Sequence, residues 1–157
     1  MTTPRDELER NEPLDSDAGA GASPFGLPLL LVVGGGIVGT TLRMLVSAAV
    51  PDAGGLPMAI LVVNLVGAFA LGLLLEVLAL RGPDTGTRRR VRLLVGTGVI
   101  GGFTTYSALA ADTSLLVDAD HLLAAAAYAL GTVVLGAVTS LAGVFVGRLT
   151  RRKRTGT

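Results

Sequence analysis

Residues 101–112 read GGFTTYSALAAD, Gly101 to Asp112, and they lie within an apolar run, Leu93 to Ala111, that carries no charge. Two glycines, a phenylalanine, two threonines, a tyrosine and a serine fall at consecutive positions from Gly101 to Ser107. Adjacent glycines followed by two β-branched threonines favour a break or kink in a helix. A break frees backbone carbonyls and N–H groups. In a bilayer such groups are tolerated only where protein buries them or where they line an aqueous cavity. Freed carbonyls coordinate cations, and half-helix ends aim partial charges at ions. The stretch therefore predicts a membrane helix that is interrupted in mid-membrane, with its released carbonyls holding an ion and its hydroxyls satisfying what remains.

The rest of the chain agrees with a membrane setting. Of 157 residues only 16% are charged, against about 25% in a soluble domain, which is too little to coat a water-facing surface. Roughly 17–25 apolar residues suffice to span. Besides Leu93–Ala111, three runs meet that length: Phe25 to Leu42 (continuing past Arg43 to Val50), Leu56 to Leu75, and Leu122 to Gly147. The expected fold is an all-α membrane protein of four transmembrane helices, the third one broken. Residues 25–148 form its membrane domain. Residues 1–24 hold Asp6, Glu7, Glu9, Glu12, Asp15 and Asp17 among Pro, Gly, Ser and Ala. They read as a disordered acidic tail and not as a signal peptide, which would start basic and carry a short apolar core. Residues 149–157 read as a basic tail. The absence of cysteine excludes disulfides and Cys-based metal sites.

Basic residues are distributed unevenly. Arg5 and Arg10 precede the first span, Arg81, Arg88, Arg89, Arg90 and Arg92 lie between the second and third, and Arg148, Arg151, Arg152, Lys153 and Arg154 follow the fourth. With four crossings all of these fall on one side, so the positive-inside rule places both termini in the cytoplasm of a plasma-membrane protein. The run RRKR reads as a solvated basic end facing lipid headgroups, with no nucleic acid as partner.

Several polar positions within the spans have more than one reading. GGGIVG, Gly34 to Gly39, fits the dinucleotide pattern G-x-G-x-x-G, but that pattern requires a βαβ unit. Continuous membrane-length flanks favour small residues that let helices approach closely, a role that Gly67, Gly72, Gly131, Gly136, Gly143 and Gly147 share. Arg43, late in the first span, either snorkels to the interface or lines an anion vestibule. Asn64, in the middle of the second, either fixes packing through an interhelical hydrogen bond or faces a pore. On the fourth span Tyr128, Thr132 and Ser140 fall on one helix face. Their hydroxyls either bond carbonyls one turn back or line a passage.

These stretches together resemble the Fluc (CrcB) fluoride channel family over about residues 25–148. GGGIVGTTLRMLV is similar to the family's first-helix motif, LPMAILVVNLVGAFALGLL to its second helix centred on Asn, and GGFTTYSALAAD to its third-helix break, usually written G-G-x-T-T-F-S-T-F-S-x-E. The resemblance implies an antiparallel dimer with paired fluoride pores. It also implies a structural Na⁺ at the dimer centre, held by the backbone carbonyls of Gly101 and Thr104 from both subunits. The anion path it implies takes in Asn64, Thr105, Tyr106, Ser107, Leu109, Tyr128 and Thr132, with Arg43 at a vestibule. The family's pore phenylalanines fall at Tyr106 and Leu109, and its Glu at Asp112. Tyr106 keeps an aromatic ring, whereas Leu109 has no quadrupole to offer an anion.

The expected activity is passive fluoride transport, with fluoride stripped of water by amide, hydroxyl and ring-edge donors. A homodimer with inverted subunits needs a chain that inserts both ways, whereas the arginine bias fixes one orientation. A heterodimer with an oppositely inserted paralogue is therefore expected, with the homodimer as the alternative. Two other readings remain: a small proton-coupled exporter using Glu76 or Asp112, and a non-conducting subunit that completes a partner's pore. No nucleophile–base pair or Cys/His cluster suggests an enzyme, and His121, the single histidine, is expected in a solvated loop.

Overall fold

The structure, a computed structural model, describes residues 26–152. The acidic tail expected over residues 1–24, with Arg5 and Arg10, and the end of the chain from Lys153 onward lie outside the described residues. Four helical segments are long and apolar enough to cross a membrane. The first is α1, Gly26–Ala49, and the second α2, Met58–Ala79. The third crossing is composite. It runs through α3 (Gly86–Val91), a π-helical stretch (Arg92–Ile100), one turn of α4 (Gly101–Phe103) and α5 (Tyr106–Asp118). The fourth is α6, Leu122–Arg152, which carries the helix four residues beyond the expected boundary at 148.

The connections are tight. Between α1 and α2, Ala53 and Leu56 exchange two backbone hydrogen bonds of 3.1 Å across Gly54 and Gly55. Both glycines have positive φ, 63° and 80°, as a two-residue primed turn requires. Between α5 and α6 the chain reverses over Ala119–His121, with Asp120 at φ 61°.

The helices are apolar on every side, so no amphipathic stripe selects an inside. Among the described residues Val63 is the only fully buried large side chain, while Leu30, Ile37 and Met44 on α1, and Leu130, Val134 and Leu141 on α6, stand outward. Close contact comes from glycine instead, as expected where lipid removes the hydrophobic drive between helices. α1 packs on the π-helical stretch. A Cβ on Gly35 or Gly39 would overlap the carbonyl oxygens of Leu94 or Val99. α2 packs along α6 through a reciprocal pair: a Cβ on Gly72 would strike the Ser140 carbonyl, and one on Gly143 the Phe69 carbonyl. Gly67 and Gly147 are similarly crowded by Thr104 and Glu76. Gly131 and Gly136 have open space around them, so the packing role expected for those two is not seen within this chain.

Candidate functional site: the broken third helix

The interruption consists of two residues. Thr104 (φ −76°, ψ 157°) and Thr105 (φ −152°, ψ 124°) are extended between α4 and α5. The glycines before them are helical, which corrects the expectation that they break the helix. Gly102 has a separate reason to lack a side chain, since its Cβ would lie 2.6 Å from the Gly36 carbonyl oxygen. The break thus falls on the β-branched pair, and the glycine next to it lets α1 press against the strand-like turn.

Several of the backbone groups released at the break can be followed. The Thr104 N–H still donates to the Ile100 carbonyl at 2.9 Å, and its own hydroxyl donates to the same oxygen at 3.0 Å. The Thr105 N–H would close the next turn onto Gly101 in an unbroken helix, but it donates instead to Asn64 Oδ1 at 2.9 Å. Asn64 Nδ2 donates back to the Thr105 carbonyl at 3.0 Å. One side-chain amide from α2 therefore replaces the missing acceptor of the Thr105 N–H and adds a second donor to the carbonyl that starts α5. The Gly102 carbonyl receives the Thr40 hydroxyl at 3.4 Å, and the Thr104 carbonyl a long contact of 3.5 Å from Arg43 Nη1. Thr105 also caps α5, its Oγ1 accepting the Ala108 N–H at 3.2 Å, in the usual manner of a helix-starting threonine. The same hydroxyl lies 3.2 Å from Ser107 Oγ.

Two open concavities meet at Thr105. One, about 530 Å³, is lined by Asn64, Gly101, Thr104, Thr105, Tyr106, Leu109 and Thr132 among others. The other, about 720 Å³, is lined by Arg43, Ser47, Thr105 and Ser107, with Met44, Ala48 and Ile60 supplying apolar wall. All the residues expected on the ion path except Tyr128 line one or the other. Tyr128 instead packs in the core with Leu109, Leu116 and Ala125, its hydroxyl donating to the Pro57 carbonyl at 3.0 Å with Asp112 Oδ2 at 3.4 Å. The Thr132 hydroxyl donates to the Tyr128 carbonyl at 2.7 Å, the one-turn-back bond that was one of its two readings. Ser140 stands against α2 at Gly72. Tyr106, the first residue of α5, is 80% exposed, whereas Leu109 is 6% exposed.

Thr40 and Ser47 were not singled out from the sequence. They lie three residues before and four after Arg43, on its face of α1, and that spacing was the available signal. The two membrane carboxylates differ in setting. Glu76 forms an ion pair with Arg148 at 3.0 Å near the end of the bundle. Asp112 lies within α5, six residues short of its end, and so not at a segment boundary as expected.

Among the described residues no group of three His, Cys, Asp or Glu could hold a metal. Any cation at the break would meet neutral backbone oxygens. The Gly101 carbonyl has lost its helical donor to Asn64, and Gly101 is exposed on the concavity. The Thr104 carbonyl has only the long Arg43 contact. Oxygen donors of this kind fit a hard cation.

A four-crossing bundle that holds extended backbone inside an apolar span, with open, mainly apolar concavities that each carry a few polar groups, defines a multi-pass membrane protein of the broken-helix kind. The family described as CrcB-like protein, Camphor Resistance (CrcB), matches residues 30–144, and the chain belongs to that family. It is 52% identical over 122 residues to Fluoride-specific ion channel FluC 2 of Leifsonia xyli subsp. xyli, covering 78% of this chain and 84% of that one. It is 44% identical over 126 residues to Fluoride-specific ion channel FluC 1 of Cutibacterium acnes, covering 80% and 88%. It is 38% identical over 122 residues to Fluoride-specific ion channel FluC of Mesorhizobium japonicum, covering 76% and 95%.

Proposed function

We propose that this chain is a subunit of a fluoride-specific channel that lets fluoride leave the cell passively. Its kinship with proteins named for that activity supports the reading, and the geometry of the break carries it. Fluoride is small and strongly hydrated, so a pore must replace its water with other donors. Asn64 keeps a second Nδ2 hydrogen after serving Thr105. Thr105 and Ser107 share one hydrogen bond, which leaves one hydroxyl proton of the pair to point at an anion. The Tyr106 ring projects from the start of α5 and offers its positive edge. Arg43, in the same concavity as Ser107, raises the local anion concentration.

The exposed break is open to a second copy or a paralogue in inverted orientation. In that dimer the carbonyls of Gly101 and Thr104 from both subunits would hold a structural Na⁺, which would supply fixed positive charge. The one-sided arginines support a cytoplasmic location for both termini and favour a paralogue over a second copy of this chain. Reporter fusions at the C-terminus test the orientation, and a substantial extracellular fraction would overturn it.

The channel itself is tested by reconstitution into liposomes with a fluoride-selective electrode. Fluoride efflux down its gradient, without chloride flux and without an imposed pH gradient, is expected. Efflux that requires a pH gradient would instead establish proton coupling; the pairing of Glu76 with Arg148 speaks against such an exporter. A non-conducting partner role is favoured by one feature: Leu109 is buried against Tyr128 and Leu116 and presents no ring. Fluoride rescue of sensitive cells by this chain alone would exclude that role.

A further inference from the structure

The end of the bundle that carries the arginines holds a small cavity that ion conduction does not use. It measures about 230 Å³ and lies where α2 gives way to the loop before α3. Leu75, Leu78 and Ala79 supply an apolar floor, and Asp84, Arg88 and Arg92 form the opposite wall. Gly82, at φ 118°, turns the loop back over the cavity, where a Cβ would meet Arg88 Nη2 at 3.4 Å. The guanidiniums are held by their inner edges. Arg88 Nε donates to the Pro83 carbonyl at 2.8 Å, and Arg92 Nε donates to Asp84 Oδ2 at 2.7 Å. Asp84 is committed to this role. The hydrogen bond from Arg92 foremost, with the charges of Arg92, Arg89 and Arg88, holds its carboxyl below the usual carboxylate range. One carboxylate against two guanidiniums leaves the wall net positive, and Arg89, close enough for its charge to act on Asp84, adds to it.

We propose that this cavity binds the headgroup of an anionic phospholipid, with the phosphodiester on Arg88 and Arg92, the charge of neighbouring Arg89 adding to the attraction, and the first acyl methylenes along Leu75 and Leu78. Planar guanidinium forks suit phosphate oxygens, and cytoplasmic-leaflet charge attracts basic residues beside a membrane helix. The apolar floor decides between lipid and free phosphate. It belongs to the last turns of a membrane crossing, and Leu75, 41% exposed, continues it toward the bilayer. A free phosphate would gain nothing from that floor. The site is independent of which ion the protein conducts.

Native mass spectrometry of the full chain, purified in detergent with phosphatidylglycerol or phosphatidylcholine added, tests the site. Phosphatidylglycerol is expected to be retained in preference. Arg89→Gln, which removes a charge but no loop-bracing bond described here, should weaken retention roughly fivefold, and Arg88→Gln with Arg89→Gln by more than tenfold. Arg148→Gln, which breaks only the pair with Glu76, should leave retention unchanged. Millimolar inorganic phosphate should not displace the lipid. Equal retention of both lipids, unchanged retention in Arg89→Gln, or displacement by phosphate would overturn the proposal. So would retention that appears only after removal of residues 1–24, which would assign the basic wall to the acidic tail.

Discussion

Replacing Asn64 with leucine separates two roles that one side chain combines. The substitution keeps volume and removes both hydrogen bonds to Thr105, at 2.9 and 3.0 Å. It strands the Thr105 N–H on a residue that is only 7% exposed, while the Thr105 carbonyl, at the N-cap of α5, keeps its bond within that helix. An unsatisfied buried polar group costs about 1–3 kcal/mol. Interhelical hydrogen bonds measured within membranes average nearer 0.6 kcal/mol, because the unfolded chain in lipid finds other partners. Here the stranded N–H lies at a break and has no neighbouring turn to return to, so the larger figure applies, and we expect a loss of about 1–3 kcal/mol. Thermal unfolding in detergent, with fluoride efflux measured on the same preparations, reads both roles. Asn64→Asp keeps an acceptor for the Thr105 N–H and loses the donor to its carbonyl, so it should lie between wild type and leucine in stability. If Asn64→Leu abolishes efflux while unfolding stays within about 0.5 kcal/mol of wild type, the amide serves only the ion and the brace inferred for the break is refuted.

Three further outcomes follow from the same contacts. Gly39→Val should destabilise by about 1–3 kcal/mol or more, because its Cβ would overlap the Val99 carbonyl, whereas Gly34→Ala, with nothing within 4 Å, should be neutral; paired melting curves decide. Arg43→Gln should reduce fluoride efflux more at low than at high ionic strength, since a vestibule charge acts through a screened field; an equal reduction at both would assign Arg43 to bracing Thr104 instead. Tyr128→Phe removes the hydroxyl bond to Pro57 and should cost about 1 kcal/mol in stability while leaving efflux intact, because the ring lies in the core; a selective loss of efflux would move Tyr128 back onto the ion path.

Much of the fold was legible because bilayer thickness is a length constraint and apolar runs obey it. The four spans follow from that alone, and the break in the third from the glycines and β-branched threonines of GGFTT. Boundaries moved where charge is tolerated near headgroups. The third crossing begins at Gly86, amid arginines, and ends at Asp118, past the carboxylate that seemed to close it. The π-helical stretch over Arg92–Ile100 had no signature, since its residues suit an α-helix equally well. Glycine was the main source of error. A missing Cβ serves a bend, a close contact or neither, and only the facing atoms decide. Gly102 is needed for Gly36, and Gly72 for Ser140, while Gly136 faces nothing in this chain.

The site itself was legible as a set of residues but not as a division of labour. Sequence alone left Asn64 between packing and pore, Thr132 between back-bonding and passage, and Arg43 between snorkelling and vestibule. Hydrogen-bond saturation now separates them. Thr132 has spent its only proton on Tyr128 and can offer an anion nothing unless it rotates. Asn64 has spent one of its two donors, and the Thr105–Ser107 pair retains a proton. The donors left for an anion thus lie on either side of Thr105, one in each concavity. Thr105, which lines both concavities, stands between those donors. Its N–H is held by an amide on another helix and not by its own turn, so the structural weak point of the crossing lies where the proposed anion donors converge, and under the proposed function Asn64 serves both.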